Sequence, residues 1–482
     1  MVLEELIAGL KTERVVGDVS VKVNGIEIDS KKIVKNRMFV CLKGGNYDSH
    51  DAAKEAERYG ASAIVCERRL DVGITQVIVK DSREAMSYLA AAFYSFPSQH
   101  MKIVGVTGTN GKTTTARIIK EILERAGKKV GLIGTLGVFF GSMFYEPTLT
   151  TPDPIDLHKI LYEMYHYGID YVVMEVSAHA IDLKKLSFVR FEIGVLTNLT
   201  QDHLDYFGTM ERYRAVKKTF LTSPQCKTVV VNSDDELGRE ILLENDKVIS
   251  YGIDNPADVF AIDVKEDLSG TSFVLNLFDG IYEVKMNLLG LFNVYNALAA
   301  EVACALLGVR VKDAVRALEE VSVVPGRLEC VSVKNGVYVF IDYAHTPDGL
   351  ENSLKTLKKL TQHRLICVFG CGGNRDAGKR PQMGAIAGRL ADFVVLTSDN
   401  PRYEEPMAII REIETGLLAQ TREYVAVQNR RDAIAYALGY AKRGDIVLVA
   451  GKGCEKYQEI LGIKHPYNDK DCIEDLEREK DS

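Results

Sequence analysis

The run Gly105-Val106-Thr107-Gly108-Thr109-Asn110-Gly111-Lys112-Thr113 constrains this chain more than any other stretch, because it follows an apolar strand-like segment and opens a helical pattern. In that context backbone N–H groups face phosphates and glycines let the backbone approach closely. Lys112 neutralises the β- and γ-phosphates, and the Thr113 hydroxyl can ligate Mg2+. The bland alternative is a plain tight turn. The generic phosphate loop carries a glycine five residues before Gly111, where this chain has Val106, flanked by Gly105 and Gly108.

A strand feeding such a loop predicts an α/β fold, and the flanking sequence agrees. Strand-like runs at 103–106, 171–175, 193–197 and 228–231 alternate with helical segments, as in a mostly parallel sheet with covering helices. Residues 260–289 alternate with period two around Ser269-Gly270 and Asp279-Gly280, which predicts antiparallel hairpins before a helix near Asn293. Runs at 19–23, 38–42, 63–66 and 75–79 predict a small N-terminal α/β domain. Runs at 337–341, 365–369, 393–397 and 446–450 predict a Rossmann-like C-terminal one. The chain's 482 residues exceed what one core can hold. Breaks at Pro97-Ser98-Gln99-His100 and Pro325-Gly326 divide it into 1–100, 101–325 and 326–482.

A net charge of −7 argues against a dedicated nucleic-acid binder, so anionic ligands must be held locally. Nine scattered cysteines, several in apolar runs (Cys41, Cys66, Cys367), read as reduced thiols of a cytoplasmic protein; Cys367 and Cys371 lack metal-type spacing. The N-terminal segment reads as an amphipathic surface helix and not a signal peptide, and no stretch is long and apolar enough for membrane insertion. The charged run from Asp469 to Ser482 reads as a solvated surface helix.

Glu175 ends an apolar strand at the rim where open α/β sheets bind ligands, so it is either a Mg2+ ligand or a solvated strand end. The polar cluster after the next strand delivers His203, a metal or phosphate ligand or a histidine bonded within its own turn. Tyr213 and Lys217 share a helix face, and by chemistry alone Lys217 is a surface lysine.

The motifs TGTNGKTTT, MEVSAHA, TNLTQDHLDYFGT, LLGLFNVYNALAA, VPGRLE, DYAHTPD, GCGGNRDAGKRP, DNPR and GKGCE, in this order, resemble the muramyl-tripeptide synthetase family of Mur ligases. The resemblance implies a three-domain, monomeric, cytoplasmic enzyme: an N-terminal UDP-substrate domain, a central ATP domain and a C-terminal amino-acid domain. It implies ATP and Mg2+ as requirements and UDP-N-acetylmuramoyl-L-alanyl-D-glutamate as acceptor. By position it assigns Gly108, Thr109, Asn110, Gly111, Lys112, Thr113 and Thr114 to ATP, with Asn293 and Asn296 at the adenine. Arg327, Asp342 and His345 would close over the nucleotide. Thr113, Glu175, His203 and a carbamylated Lys217 (N6-carboxylysine) would hold the metal. Lys112, Glu175, His203 and Lys217 form the implied catalytic set. Ser30, Thr150, Thr151, Ser177 and Lys185 would bind the UDP-sugar peptide.

Three positions depart from the family pattern: Ala178 replaces a usual Ser, Lys185 a common Arg, and Cys454 the His of GKGHE. Asp399-Asn400-Pro401-Arg402 looks like the family's meso-diaminopimelate motif, because a guanidinium binds the distal carboxylate that lysine lacks. Arg375, Gly451 and Glu455 match the rest of that pocket, Glu455 suiting the distal ammonium. The implied reaction is amide formation through an acyl phosphate. The alternatives are the same ligase using L-lysine, a folylpolyglutamate-type ligase, or a nucleotide-gated binding protein without catalysis.

Overall fold

A computed structural model describes residues 1–45, 47–146, 149–245, 248–278 and 280–479. Asp279 of the expected second turn and residues 480–482 of the charged run lie outside the described residues. The fold is mixed α/β and divides into two compact units. The first comprises Met1–Gly108, Leu123–Leu196 and Val216–Val230; the second comprises Thr109–Ile122, Thr197–Ala215 and Val231–Ser482.

In the first unit, strands β1 (Arg14–Val16), β2 (Gly25–Glu27), β3 (Arg37–Val40), β4 (Ala63–Cys66) and β5 (Thr75–Ile78) form a sheet in the order β1-β5-β4-β3-β2. All neighbours are parallel except β1 with β5. Period-two alternation separates its faces: Met38, Val40, Ala63 and Val65 pack with helix Ser82–Phe93, whereas Phe39, Ile64 and Cys66 pack with helix Ala53–Arg58. The expected strand at 19–23 does not form. Gly17 turns the chain at φ +112°, and the Asp18 carboxylate accepts from the Ser20 amide (2.8 Å), a turn that interrupts the run. Val19 and Val21 instead accept from the amides of Glu4 and Leu3. The expected N-terminal helix shortens to Leu3–Ile7, with Leu3 and Leu6 buried.

Seven further strands are β6 (Lys102–Thr107), β7 (Val130–Gly134), β8 (Gly137–Phe140), β9 (Met143–Tyr145), β10 (Tyr171–Glu175), β11 (Phe191–Leu196) and β12 (Cys226–Asn232), in the order β12-β11-β6-β10-β7-β8-β9. The run from β11 through β6 and β10 to β7 is parallel, as expected. The antiparallel β7-β8-β9 meander was not expected, because its glycine-rich sequence carries no clear alternation.

In the second unit, β13 (Val248–Gly252) pairs parallel with β14 (Val259–Asp267). β14, β15 (Gly270–Leu277) and β16 (Gly280–Met286) form the expected antiparallel hairpins before helix Leu291–Leu306. The C-terminal sheet contains β17 (Glu329–Lys334), β18 (Val337–Asp342), β19 (Leu365–Phe369), β20 (Phe393–Leu396), β21 (Tyr424–Ala426) and β22 (Ile446–Ala450), in the order β17-β18-β22-β19-β20-β21. All are parallel except β17. Helices Pro347–Leu360, Lys379–Leu390 and Pro406–Leu417 cover one face, and Arg430–Tyr440 and Asp469–Glu479 the other, a doubly wound arrangement. A hairpin, β23 (Tyr457–Ile460) with β24 (Ile463–Pro466), follows β22.

Helix Asp469–Glu479 is therefore not wholly solvated. Cys472, Ile473 and Leu476 pack against the sheet, and Asp469 is fully buried in a two-point pair with Arg430 (2.8 and 2.7 Å). The nine cysteines are free. Among the described residues no helix is long and apolar enough to cross a membrane.

Candidate active site

Val106 stands where a glycine was expected because that position is still sheet. It is fully buried in β6 and pairs with Glu175 of β10, so a β-branched residue suits it. The glycine requirement falls later. Gly111 adopts φ +85°, and a Cβ there would lie 2.4 Å from Asn296 Oδ1.

That close approach belongs to a network of neutral groups in the second unit. Asn296 Oδ1 accepts from Thr115 Oγ1 (3.1 Å), Asn296 Nδ2 donates to Asn293 Oδ1 (2.9 Å), and Asn293 Nδ2 donates to the Leu289 carbonyl (2.7 Å). On the other side the Asn110 amide donates to Asn198 Oδ1 (2.9 Å), while Thr197 Oγ1 donates to the Asn110 carbonyl (2.6 Å). Asn110 Nδ2 reaches Asp348 Oδ2 (2.7 Å). Lys112 Nζ donates to the Thr109 carbonyl (2.7 Å), and Arg327 Nη2 donates to Thr113 Oγ1 (3.2 Å) from above the Tyr343 ring.

A cavity of about 390 Å³ opens beside this loop, lined by Asn110, Gly111, Thr114, Asn296, Arg327 and Asp342 among others. Its size and convergent polar groups suit a nucleotide. Asn296 lines it, whereas the Asn293 side chain serves the internal chain of amides. Asp342 organises its own loop, accepting from the Leu328 and Ala344 amides and from Ser353 Oγ (2.6, 2.9 and 3.0 Å).

Asp202, not singled out from sequence, is a charge hub in the same unit. It is 6% exposed, with His203 Nε2, His345 Nε2 and Lys379 Nζ at 3.4, 3.8 and 3.8 Å. Burial pushes its carboxyl up, but the three cationic or imidazole neighbours prevail and hold it at about 2. His203 sits in the left-handed region (φ +57°) at the start of a short helix, and its amide also donates to Asp202. The turn contact expected of an ordinary histidine is thus present, on a ring that is 37% exposed.

In the first unit, Glu175 is buried and is not a solvated strand end. It accepts from the Thr135 amide (2.8 Å) and hydroxyl (3.1 Å), and a Cβ on Gly134 would lie 2.3 Å from its Oε1. Thr135 Oγ1 meets Thr150 Oγ1 (3.1 Å), and Thr151 Oγ1 donates to the Glu175 carbonyl and accepts from the Ser177 amide. Thr150, Thr151, Glu175 and Ser177 therefore converge, with Thr135 as an unforeseen member. Lys185 is buried and paired with Asp153 (2.7 Å), while Ser30 donates to Glu55 elsewhere (2.5 Å).

Lys217 corrects the surface reading: it is 1% exposed, and its Nζ donates to the Gly108 carbonyl (2.9 Å). Its helix turns the Tyr213 and Lys217 face inward, which pairwise spacing alone could not reveal.

The C-terminal residues expected to hold the amino acid form a cluster of charges already paired. Lys452, fully buried, donates to Asn400 Oδ1 and Glu455 Oε2 (both 2.9 Å), and Asn400 Nδ2 donates to the same Glu455 oxygen (2.9 Å). Arg402 adopts φ +50°; its Nε donates to Glu459 Oε2 (3.0 Å) and its Nη1 to the Gly373 carbonyl (2.7 Å). Gly451, at φ +114°, leaves room for Asp399, and Pro401 follows against Gly373. Arg375 is half exposed, 4.0 Å from Asp205. Lys452 and Glu459 were missed because their roles depend on partners far along the chain.

Three family models match the chain: the Mur ligase family catalytic domain over residues 22–98, the Mur ligase middle domain over 106–304, and the Mur ligase glutamate ligase domain over 326–453. A UDP-N-acetylmuramoyl-L-alanyl-D-glutamate–2,6-diaminopimelate ligase of Geobacillus thermodenitrificans is 44% identical over 443 residues, covering 90% of this chain and 91% of its own. The ligase of the same name from Clostridioides difficile is 42% identical over 480 residues, covering 98% of each. A solved structure of a diaminopimelate ligase of that name superposes with TM-score 0.71 at 30% identity, covering 100% of this chain and 99% of that one. A MurF ligase from Thermotoga maritima in complex with ADP shares the fold (TM-score 0.65, 22% identity, 96% and 99% coverage). With identity at this level running the length of the chain, the protein belongs to the Mur ligase family.

Proposed function

We propose that this protein is an ATP-dependent ligase that adds meso-2,6-diaminopimelate to the D-glutamate of UDP-N-acetylmuramoyl-L-alanyl-D-glutamate, in cytoplasmic synthesis of peptidoglycan precursors for cell-wall growth and division. The observation that carries the choice of amino acid is Arg402, a guanidinium anchored on its Nε side beside the Asn400–Glu455 pair. Such a fork can take a second carboxylate through paired hydrogen bonds. Full-length similarity to ligases named for this reaction supports the rest.

In this reading ATP lies along the loop from Gly108 to Thr114, with Lys112 on its terminal phosphates and Asn293, Asn296, Arg327, Asp342 and His345 around the nucleotide. The acceptor's γ-carboxylate attacks the γ-phosphate, forming an acyl phosphate and ADP. The amine then attacks the acyl carbon and expels phosphate. Ser30, Thr150, Thr151, Ser177 and Lys185 hold the UDP-sugar peptide; Arg375, Asp399, Asn400, Pro401, Arg402, Gly451 and Glu455 hold the amino acid. Thr113, Glu175, His203 and a carbamylated Lys217 would be the donors for Mg2+, a hard cation that would supply charge neutralisation. The corresponding division is 1–100, 101–325 and 326–482, in a monomer.

Amino-acid-dependent ADP release across a substrate panel tests the proposal. Diaminopimelate should support turnover and L-lysine should not; faster turnover with lysine would overturn the assignment. Oxygen-18 carried from the acceptor carboxylate into phosphate is the expected mark of the acyl phosphate.

A further inference from the structure

Arg402 does not reach its pocket as a free cation. Its amide donates to the Glu459 carbonyl (3.0 Å), and its carbonyl accepts from Leu461 (2.7 Å), so β23 holds the strained left-handed backbone in place. Glu459 then adds a second hold through its side chain, at Arg402 Nε (3.0 Å). The Gly373 carbonyl takes Nη1, and Gly372 leaves the space, since a Cβ there would lie 3.0 Å from Nη1. Both side chains of the pair are about one-fifth exposed. The guanidinium is pinned along one side, and its Nη2 end donates to no acceptor among the described residues.

We infer that Glu459 is a positioning residue for amino-acid selection: it fixes the direction in which Arg402 presents its remaining N–H groups, so that the pocket recognises a substrate whose distal carbon carries a carboxylate. This rests on the diaminopimelate reading of Arg402. An arginine held in one rotamer loses little freedom when a carboxylate docks, whereas a loose one must be ordered at the substrate's expense. The two anionic side chains of the pocket thereby have separate tasks. Glu455 is engaged by Lys452 and Asn400, and the Glu459 side chain, among the described residues, by Arg402.

The test compares Glu459→Ala, Glu459→Gln and Arg402→Lys in the full-length enzyme, measuring KM for diaminopimelate and for ATP together with kcat. Glutamine can still accept from Nε, so Glu459→Gln should stay within about threefold of the parent in KM for diaminopimelate. Glu459→Ala should raise that KM about tenfold, with KM for ATP unchanged and kcat changed less than threefold. An unchanged diaminopimelate KM in Glu459→Ala, alongside a raised one in Arg402→Lys, would sink the inference and leave the substrate reading standing. If Arg402→Lys also leaves KM unchanged, the reading itself fails. Equal losses in Glu459→Ala and Glu459→Gln would likewise refute positioning, because the hydrogen bond would then not be what matters.

Discussion

The glycine loop at Gly111 and the charged cluster at Arg402 are held together in opposite ways. Around Gly111 the loop is shaped by neutral amides and hydroxyls of Asn110, Thr197, Asn198, Thr115 and Asn296, and its cation Lys112 folds back onto the Thr109 carbonyl. Around Arg402 the pocket is shaped by charges bound to one another, Lys452 with Glu455 and Arg402 with Glu459. At the loop the charged groups Asp348 and Arg327 bond to neutral side chains, Asn110 and Thr113, whereas around Arg402 charge meets charge directly. In the proposed reading, a cluster whose charges are already paired would select a zwitterion by geometry and not by net charge.

Breaking the charged side should have the largest effect. Behind the pocket, Arg430 and Asp469 are completely buried, and Arg430 also donates to the Ala450 carbonyl at the end of β22. Arg430→Met strands the Asp469 carboxylate and should cost about 3–5 kcal/mol of stability, read by denaturant unfolding. The neutral side breaks through shape. Gly111→Ala puts a methyl against Asn296 in a backbone region that favours glycine, and should lower kcat/KM for ATP by on the order of a hundredfold. Retained ATP affinity would show that the loop can yield.

Asp202 is a third arrangement, a buried carboxylate beside two imidazoles and a lysine, and its effect should appear in pH dependence. Its folded-state value of about 2 lies below the ordinary 3.8, so its stabilisation is present above about pH 4 and is lost as the pH falls towards 2. Asp202→Asn should flatten the stability profile across that window by about 2 kcal/mol. The smallest effect sharpens the comparison. Thr346 caps helix Pro347–Leu360 through the Gly349 amide (3.1 Å) and also lies 3.4 Å from Asn110 Nδ2. Thr346→Ala should cost about 1 kcal/mol of stability.

Much of the fold was legible locally. The runs at Ala63–Cys66, Tyr171–Glu175 and Ile446–Ala450 are strands as read, because a strand buried on both faces must be apolar throughout. The strand at 19–23 failed because one aspartate turn outweighed its valines. The β7–β9 meander went unread because its glycines hide the alternation.

By itself the sequence determined the strand–loop–helix at Lys112, the α/β class and the residue types that make the family plain, since these follow from local spacing and side-chain chemistry. Only the tertiary structure decided that Lys217 is buried, that Thr135 holds Glu175, that Asp202 gathers two histidines and a lysine, and that Glu459 pins Arg402. Each of these depends on which surface a helix buries or on partners distant in the chain, and side-chain spacing along one segment carries no record of either.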